Sequence, residues 1–170
     1  MAKTPFGGAV TGFGLGKPDI DFNVDFSNAT WNTLGAHQIL AVTGLVRIKL
    51  IIYFATAITS VSTYTDIKLG IPSNDDELRT YINAESISAG EFWAYSGSGS
   101  GYKTIYSSKD YNNTGTNQAI LKEPLMDFVC GGEDIEYSLT NVAPTAGTIN
   151  VIAWYQALSS GATVVQGDGS

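Results

Sequence analysis

Apolar side chains recur at every second position along run after run of this chain. That period constrains the fold more than any other feature, because successive side chains of an extended strand point to opposite faces. In residues 19–26, Ile20, Phe22, Val24 and Phe26 alternate with Asp19, Asp21, Asn23 and Asp25. Residues 45–54 place Val46, Ile48, Leu50, Ile52 and Phe54 on one face and Leu45, Arg47, Lys49, Ile51 and Tyr53 on the other. In residues 61–69, Val61, Ile67 and Leu69 are expected inward and Ser62, Tyr64, Asp66 and Lys68 outward. Residues 134–140 repeat the pattern, with Ile135, Tyr137 and Leu139 inward and Asp134, Glu136 and Ser138 outward. Shorter strand candidates are 91–95, 102–107 and 119–130, the last broken by Pro124. Helix signal is confined to 75–79, where Asp75, Asp76 and Glu77 could open one short turn. Turn residues cluster at 73–76, 96–101, 111–117 and 143–147. Many short strands, Gly-rich turns and no βαβ alternation predict an all-β chain, an antiparallel β-sandwich or barrel.

Two segments stand apart. Residues 147–158 are apolar on both sides: Ile149, Val151, Ala153 and Tyr155 share one face, and Ile152, Trp154 and Leu158 share the other. A sandwich buries only one face of a strand, so the second face is expected to meet another subunit, with Ile152, Trp154 and Leu158 as the self-association residues. Residues 1–35, with two prolines and the spaced glycines Gly7, Gly8, Gly12, Gly14 and Gly16, read as an extended N-terminal arm. Its one strand would have to add to a sheet edge, of this chain or of a neighbour. The expected division is arm 1–35 and sandwich 36–170.

Composition narrows the function. The 170 residues, 44% of them hydrophobic, suffice for one domain that buries roughly 70% of its unfolded surface. Only 15% are charged, and the net charge of −7 argues against nucleic acid or an anionic membrane as partner. The single cysteine, Cys130, cannot form an internal disulfide, and a zinc site needs more Cys and His than one of each. The first residues lack the apolar stretch of a secretory signal, and no apolar run approaches the ~20 residues of a membrane span. A soluble protein, made in a reducing cytoplasm or at least not dependent on disulfides, is the expectation.

Catalytic signals are weak. His37 is the sole histidine, nothing around it resembles a nucleophile elbow, and Cys130 reads as a small buried hydrophobe. Asp19, Asp21, Asn23 and Asp25 share a strand face at about 6.6–7 Å spacing, too wide for neighbours to share a calcium ion comfortably. The Asp75-Asp76-Glu77 run reads as a solvated face or helix start. Gly12, Gly14 and Gly16 lack the context of a dinucleotide loop. No enzyme, cofactor or metal is expected. Trp93, Tyr95, Tyr102 and Tyr106 flank the glycine-rich stretch 97–101, where rings beside a loop could stack on a sugar or fill the sandwich end.

Two stretches carry a resemblance. His37 to Ile48 (HQILAVTGLVRI), leading into a long strand, looks like the opening of a jelly-roll family of tailed bacteriophages, the capsid decoration or head auxiliary proteins. Thr145 to Val165 (TAGTINVIAWYQALSSGATVV) resembles that family's closing strand and tail. The resemblance implies a jelly-roll-like sandwich and a virion structural role. It also implies a trimer, synthesised in the host cytoplasm and seated on the capsid exterior against the major capsid protein. In that frame Ile20, Phe22, Val24 and Phe26 are the expected arm contacts to the capsid. The alternative is a virion module for cell-surface glycans, in a head fibre or tail component, that uses Trp93, Tyr95, Tyr102 and Tyr106.

Overall fold

The computed structural model describes residues 16–61, 64–95, 105–107 and 125–170. Its strands are β1 (Ile20–Asp25), β2 (Gly35–Thr43), β3 (Leu45–Ser60), β4 (Thr65–Ile71), β5 (Asn74–Asn83), β6 (Phe92–Tyr95), β7 (Ile105–Ser107), β8 (Phe128–Gly131), β9 (Ile135–Asn141), β10 (Pro144–Ala157) and β11 (Thr163–Gln166). One helical turn, α1 (Ala29–Asn32), follows β1, capped by the Asn28 side chain, which accepts from the Thr30 N–H at 3.0 Å. The strands form two antiparallel sheets packed face to face, as an all-β sandwich requires.

The first sheet runs β1-β10-β3-β6-β7, with β8 also on β3, and the second runs β11-β2-β9-β4-β5. The chain changes sheet at most connections. It returns late to seat β10 between β1 and β3, and β9 between β2 and β4. That is the strand order of a jelly roll, with β11 added beside β2. β6 and β8 lie end to end along β3, residues 92–94 opposite 51–53 and residues 128–131 opposite 45–48. They form one strand position interrupted by an insertion that begins by turning back as β7.

The core follows from the period of two. Val46, Ile48, Leu50, Ile52 and Phe54 of β3 are all buried, and the residues between them are half-buried or exposed. Each such burial contributes about 1.5–3 kcal/mol. Rings join the sheets: Phe26 meets Tyr137 edge-on at 5.6 Å, and the Tyr137 hydroxyl donates to the Trp31 carbonyl at 2.5 Å. His37, at the start of β2, stacks on Tyr137 at 5.0 Å. Its ring nitrogens face the carbonyls of Thr33 (2.7 Å) and Gly169 (3.2 Å). It thereby ties the end of the chain to the start of β2.

Three expectations need correction, and one open alternative is decided. β1 adds to a sheet edge of its own chain: it pairs along its whole length with β10. Residues 1–15 lie outside the described residues. Val61 was expected inward and is 82% exposed, because β3 ends at Ser60 and β4 starts only at Thr65. Residues 75–79 form no helical turn; the ladder to β4 makes them part of β5, since cross-strand pairing overrides a local charge preference. Lys68, Glu136 and Ser138 were expected on a wet face and are buried.

Candidate functional site

The outward face of the first sheet is the first place where chemistry gathers. Its rows can be read from the register: Asp21 of β1, Ile152 of β10, Ile51 of β3 and Ala94 of β6 stand side by side. The next row is Asn23, Asn150, Tyr53 and Phe92. Ile51, Tyr53, Phe92 and Ile152 are half-buried and Ala94 is fully buried, although all five point away from the core. The Asn150 amide oxygen is also buried and without a partner among the described residues. Aspartates on β1 rim one side of this apolar band. At the level of β8, Arg47 pairs with Asp127 at 3.1 Å, an exposed contact of little energetic weight.

Of the residues expected to self-associate, Ile152 sits in the middle of that band. Trp154 is on the same face but is already covered, its indole N–H donating to the Gly16 carbonyl at 2.9 Å. Leu158 lies past the end of β10, 39% exposed, where its N–H donates to the Leu45 carbonyl. The expected capsid contacts of the arm turn toward this chain's own core. Ile20, Val24 and Phe26 are buried in this chain's own core, and Phe22 packs against it beside Trp31. Phe22 alone of the four keeps part of its surface exposed.

The glycan reading loses its leading ring for the same kind of reason. Trp93 is 1% exposed, edge-on to Phe54 at 5.0 Å and with the Arg79 guanidinium 5.7 Å from its ring centre. It faces the core because β6 pairs it with Ile52, an inward residue of β3. Tyr102 and the side chains of Tyr95 and Tyr106 lie outside the described residues. Sequence reasoning also passed over Glu91, whose carboxylate oxygens are buried without a partner among the described residues.

The second place lies on the outward face of the other sheet. A cavity of about 450 Å³ is floored by Glu136 and Ser138 of β9. Gly35 and Ala36 of β2 wall one side, and the hairpin tip Pro72, Ser73, Asn74 and Asp75 walls the other. Gly70 makes this wall possible: a Cβ there would lie 2.4 Å from the Asn74 carbonyl oxygen, so only glycine lets the tip fold over the sheet beside Glu136. Glu136 is 9% exposed, and its carboxyl is held above the usual range by burial and by the charges of Asp75 and Asp134, partly offset by His37. Ser138 is 4% exposed, and its hydroxyl has no partner among the described residues. Beside them Lys68 reaches Asp75 and donates to the Tyr81 hydroxyl at 3.0 Å. Asp134 accepts from the Gln38 side chain (2.6 Å) and the Val42 N–H (2.8 Å). The period of two marked Glu136 and Ser138 as neighbours on one face, but nothing local revealed the wall that stands beside them.

A smaller cavity of about 290 Å³ lies between β8 and the ends of β4, β5 and β9, lined by Ile71, Leu78, Phe128, Cys130 and Ile135 with Glu77 and Glu133. The Cys130 thiol donates to the Glu133 carbonyl at 3.0 Å, and burial pushes its pKa up, which disfavours the nucleophilic thiolate. Among the described residues no cluster of His, Cys, Asp and Glu is placed to hold a metal ion, and no helix is long and apolar enough to cross a membrane. Comparison with protein-family models, with curated proteins and with solved structures gives no match for this chain.

Proposed function

We propose that the chain is a non-enzymatic structural protein of a virion, a decoration protein on the outer surface of a tailed-phage head. In this reading it sits against the major capsid protein as a trimer and stabilises the shell. One observation carries it: Ile51, Tyr53, Phe92 and Ile152 form a contiguous, partly exposed apolar band on the outward face of a sheet whose other face is the core. A face meant for water would alternate to polar residues, so this band is built for contact. The jelly-roll strand order and the resemblance of 37–48 and 145–165 to head auxiliary proteins supply the class. The charge of −7 suits a surface away from packaged DNA. The many copies on a shell would turn weak single contacts into avidity.

The test is the solution mass by light scattering together with co-sedimentation on undecorated phage heads, for the native chain and for Ile152→Lys. The expected result is a mass of three chains and head binding for the native protein. Both should be lost in Ile152→Lys, with its circular dichroism unchanged. A native protein that stays monomeric and leaves the heads bare at all concentrations removes the proposal.

A further inference from the structure

We propose that the cavity on the outward face of β9 receives one cationic N–H group, the end of a lysine or arginine side chain from a partner protein. It lies on the opposite sheet from the apolar band and stands independently of the assembly reading.

The argument begins with what the cavity leaves unsatisfied. Glu136 and Ser138 are successive outward positions of one strand, about 6.6–7 Å apart, and the Glu136 side chain is long enough to narrow that gap. The Ser138 hydroxyl is buried without a partner among the described residues, and a buried polar group left so costs free energy that a hydrogen-bonding ligand restores. The neighbouring charges are already committed: Lys68 to Asp75 and Tyr81, Asp134 to Gln38 and the Val42 N–H. The charges felt by the Glu136 carboxyl are those of Asp75 and Asp134, of its own sign, and of His37, which opposes them in part.

Those features select the ligand's chemistry. An anion would meet the Asp75 and Glu136 carboxylates, the two charged groups among the residues that line the cavity. A neutral group would leave the Glu136 charge uncompensated. A group that carries a positive charge and several N–H donors satisfies Glu136 and Ser138 together. A volume of about 450 Å³ accepts the end of one long side chain, and the half-exposed Asp75 keeps the rim wet. Lysine and arginine are suited to this geometry, because their apolar stems span a rim while the charged head reaches inward.

The test uses N-acetyl-lysine methylamide and N-acetyl-arginine methylamide as probes, titrated into the whole chain and followed by amide NMR. N-acetyl-glutamine methylamide is the neutral control. The expected result is saturable shifts at Gly35, Glu136 and Ser138 with the cationic probes only. Affinity should weaken about tenfold in Glu136→Gln, as loss of a charge-assisted hydrogen bond implies. Ser138→Ala should weaken it by a smaller factor. The spectra of the variants themselves report whether they fold, and Glu136→Gln preserves size and shape. Shifts absent or confined elsewhere, equal binding of the glutamine control, or unchanged affinity in Glu136→Gln each overturn the proposal.

Discussion

Replacing Phe26 by alanine removes a fully enclosed ring that touches Tyr137 across the two sheets. Aromatic truncations of this kind cost about 3–5 kcal/mol. The expected outcome is a lower urea midpoint with an unchanged denaturant slope, and a smaller loss for Phe22→Ala, whose ring is only half-buried. Equal, negligible losses at both positions would mean that these rings face outward after all. The alternation of Phe22, Val24 and Phe26 with Asp21, Asn23 and Asp25 was enough to show that the apolar set shares a face. It could not show whose core that face joins, because the answer lies in β10, more than a hundred residues away. Glu136 carries a pH prediction of its own. Its folded-state pKa is raised, so the folded protein holds the proton more tightly than the unfolded chain does. Its contribution to stability is therefore fully present below the ordinary carboxylate value of 4.5 and is lost as pH rises through the raised value. Glu136→Gln is expected to raise the urea midpoint at neutral pH and to leave it unchanged in acid below 4.5. A gain that persists in acid would point to packing rather than charge.

At the scale of elements, β1 is the piece whose role changes most. It pairs with six residues of β10, from Ile20 opposite Ala153 to Asp25 opposite Thr148. A chain lacking residues 1–26 loses that strand and exposes the backbone edge of β10, a template for pairing with other chains. Such a deletion is expected to drive the protein into aggregates, seen as loss of the soluble fraction and of the folded NMR spectrum. A soluble, folded deletion variant would restore the reading of 1–35 as a separable arm. The other end of the chain makes a similar case. Gly167 donates to the Ile39 carbonyl at 2.8 Å, and a Cβ there would lie 2.3 Å from the Gln38 carbonyl oxygen. Gly167→Ala is therefore expected to lift residues 167–170 off β2, with faster hydrogen exchange at Gly169, whose N–H donates to Gln38. Unaltered exchange would mean that the backbone yields without detaching. The helical turn expected at 75–79 failed for an elemental reason too. The acids at its start are a local signal, whereas the hairpin with β4 is a longer-range one and supplies a ladder of backbone bonds. The folding-over of its tip beside Glu136 and Ser138 depends on Gly70 and has no counterpart in any periodicity.

The two outward faces of the sandwich differ: one carries an apolar band around Ile152, the other a polar cavity beside Glu136 and Ser138. The strand count and the turns made the sandwich readable from the sequence, because a jelly roll repeats one local pattern many times. The two outward faces were not readable in the same way: half-burial of Ile152 and burial of Glu136 depend on what neighbouring strands place beside them. The chain's charge of −7 lets one variable separate the two surfaces. In the proposed assembly, copies that meet through the apolar band must overcome mutual repulsion, and salt screens it, shortening the Debye length from about 10 Å at 0.1 M to about 3 Å at 1 M. A cationic side chain approaching Glu136 is attracted by the same field, and salt weakens that attraction. Raising the salt concentration is thus expected to shift the mass measured by light scattering toward the trimer while it lowers the affinity for N-acetyl-arginine methylamide. Sulfate should act more strongly than chloride on the first effect, since it strengthens apolar burial by exclusion from protein surface. If salt instead dissociates the oligomer, the subunits are held by charge, and the band around Ile152 is not what joins them. If salt leaves probe affinity unchanged, no net charge is felt in the cavity, and the pairing of Glu136 with a cation fails as an explanation of its buried carboxylate.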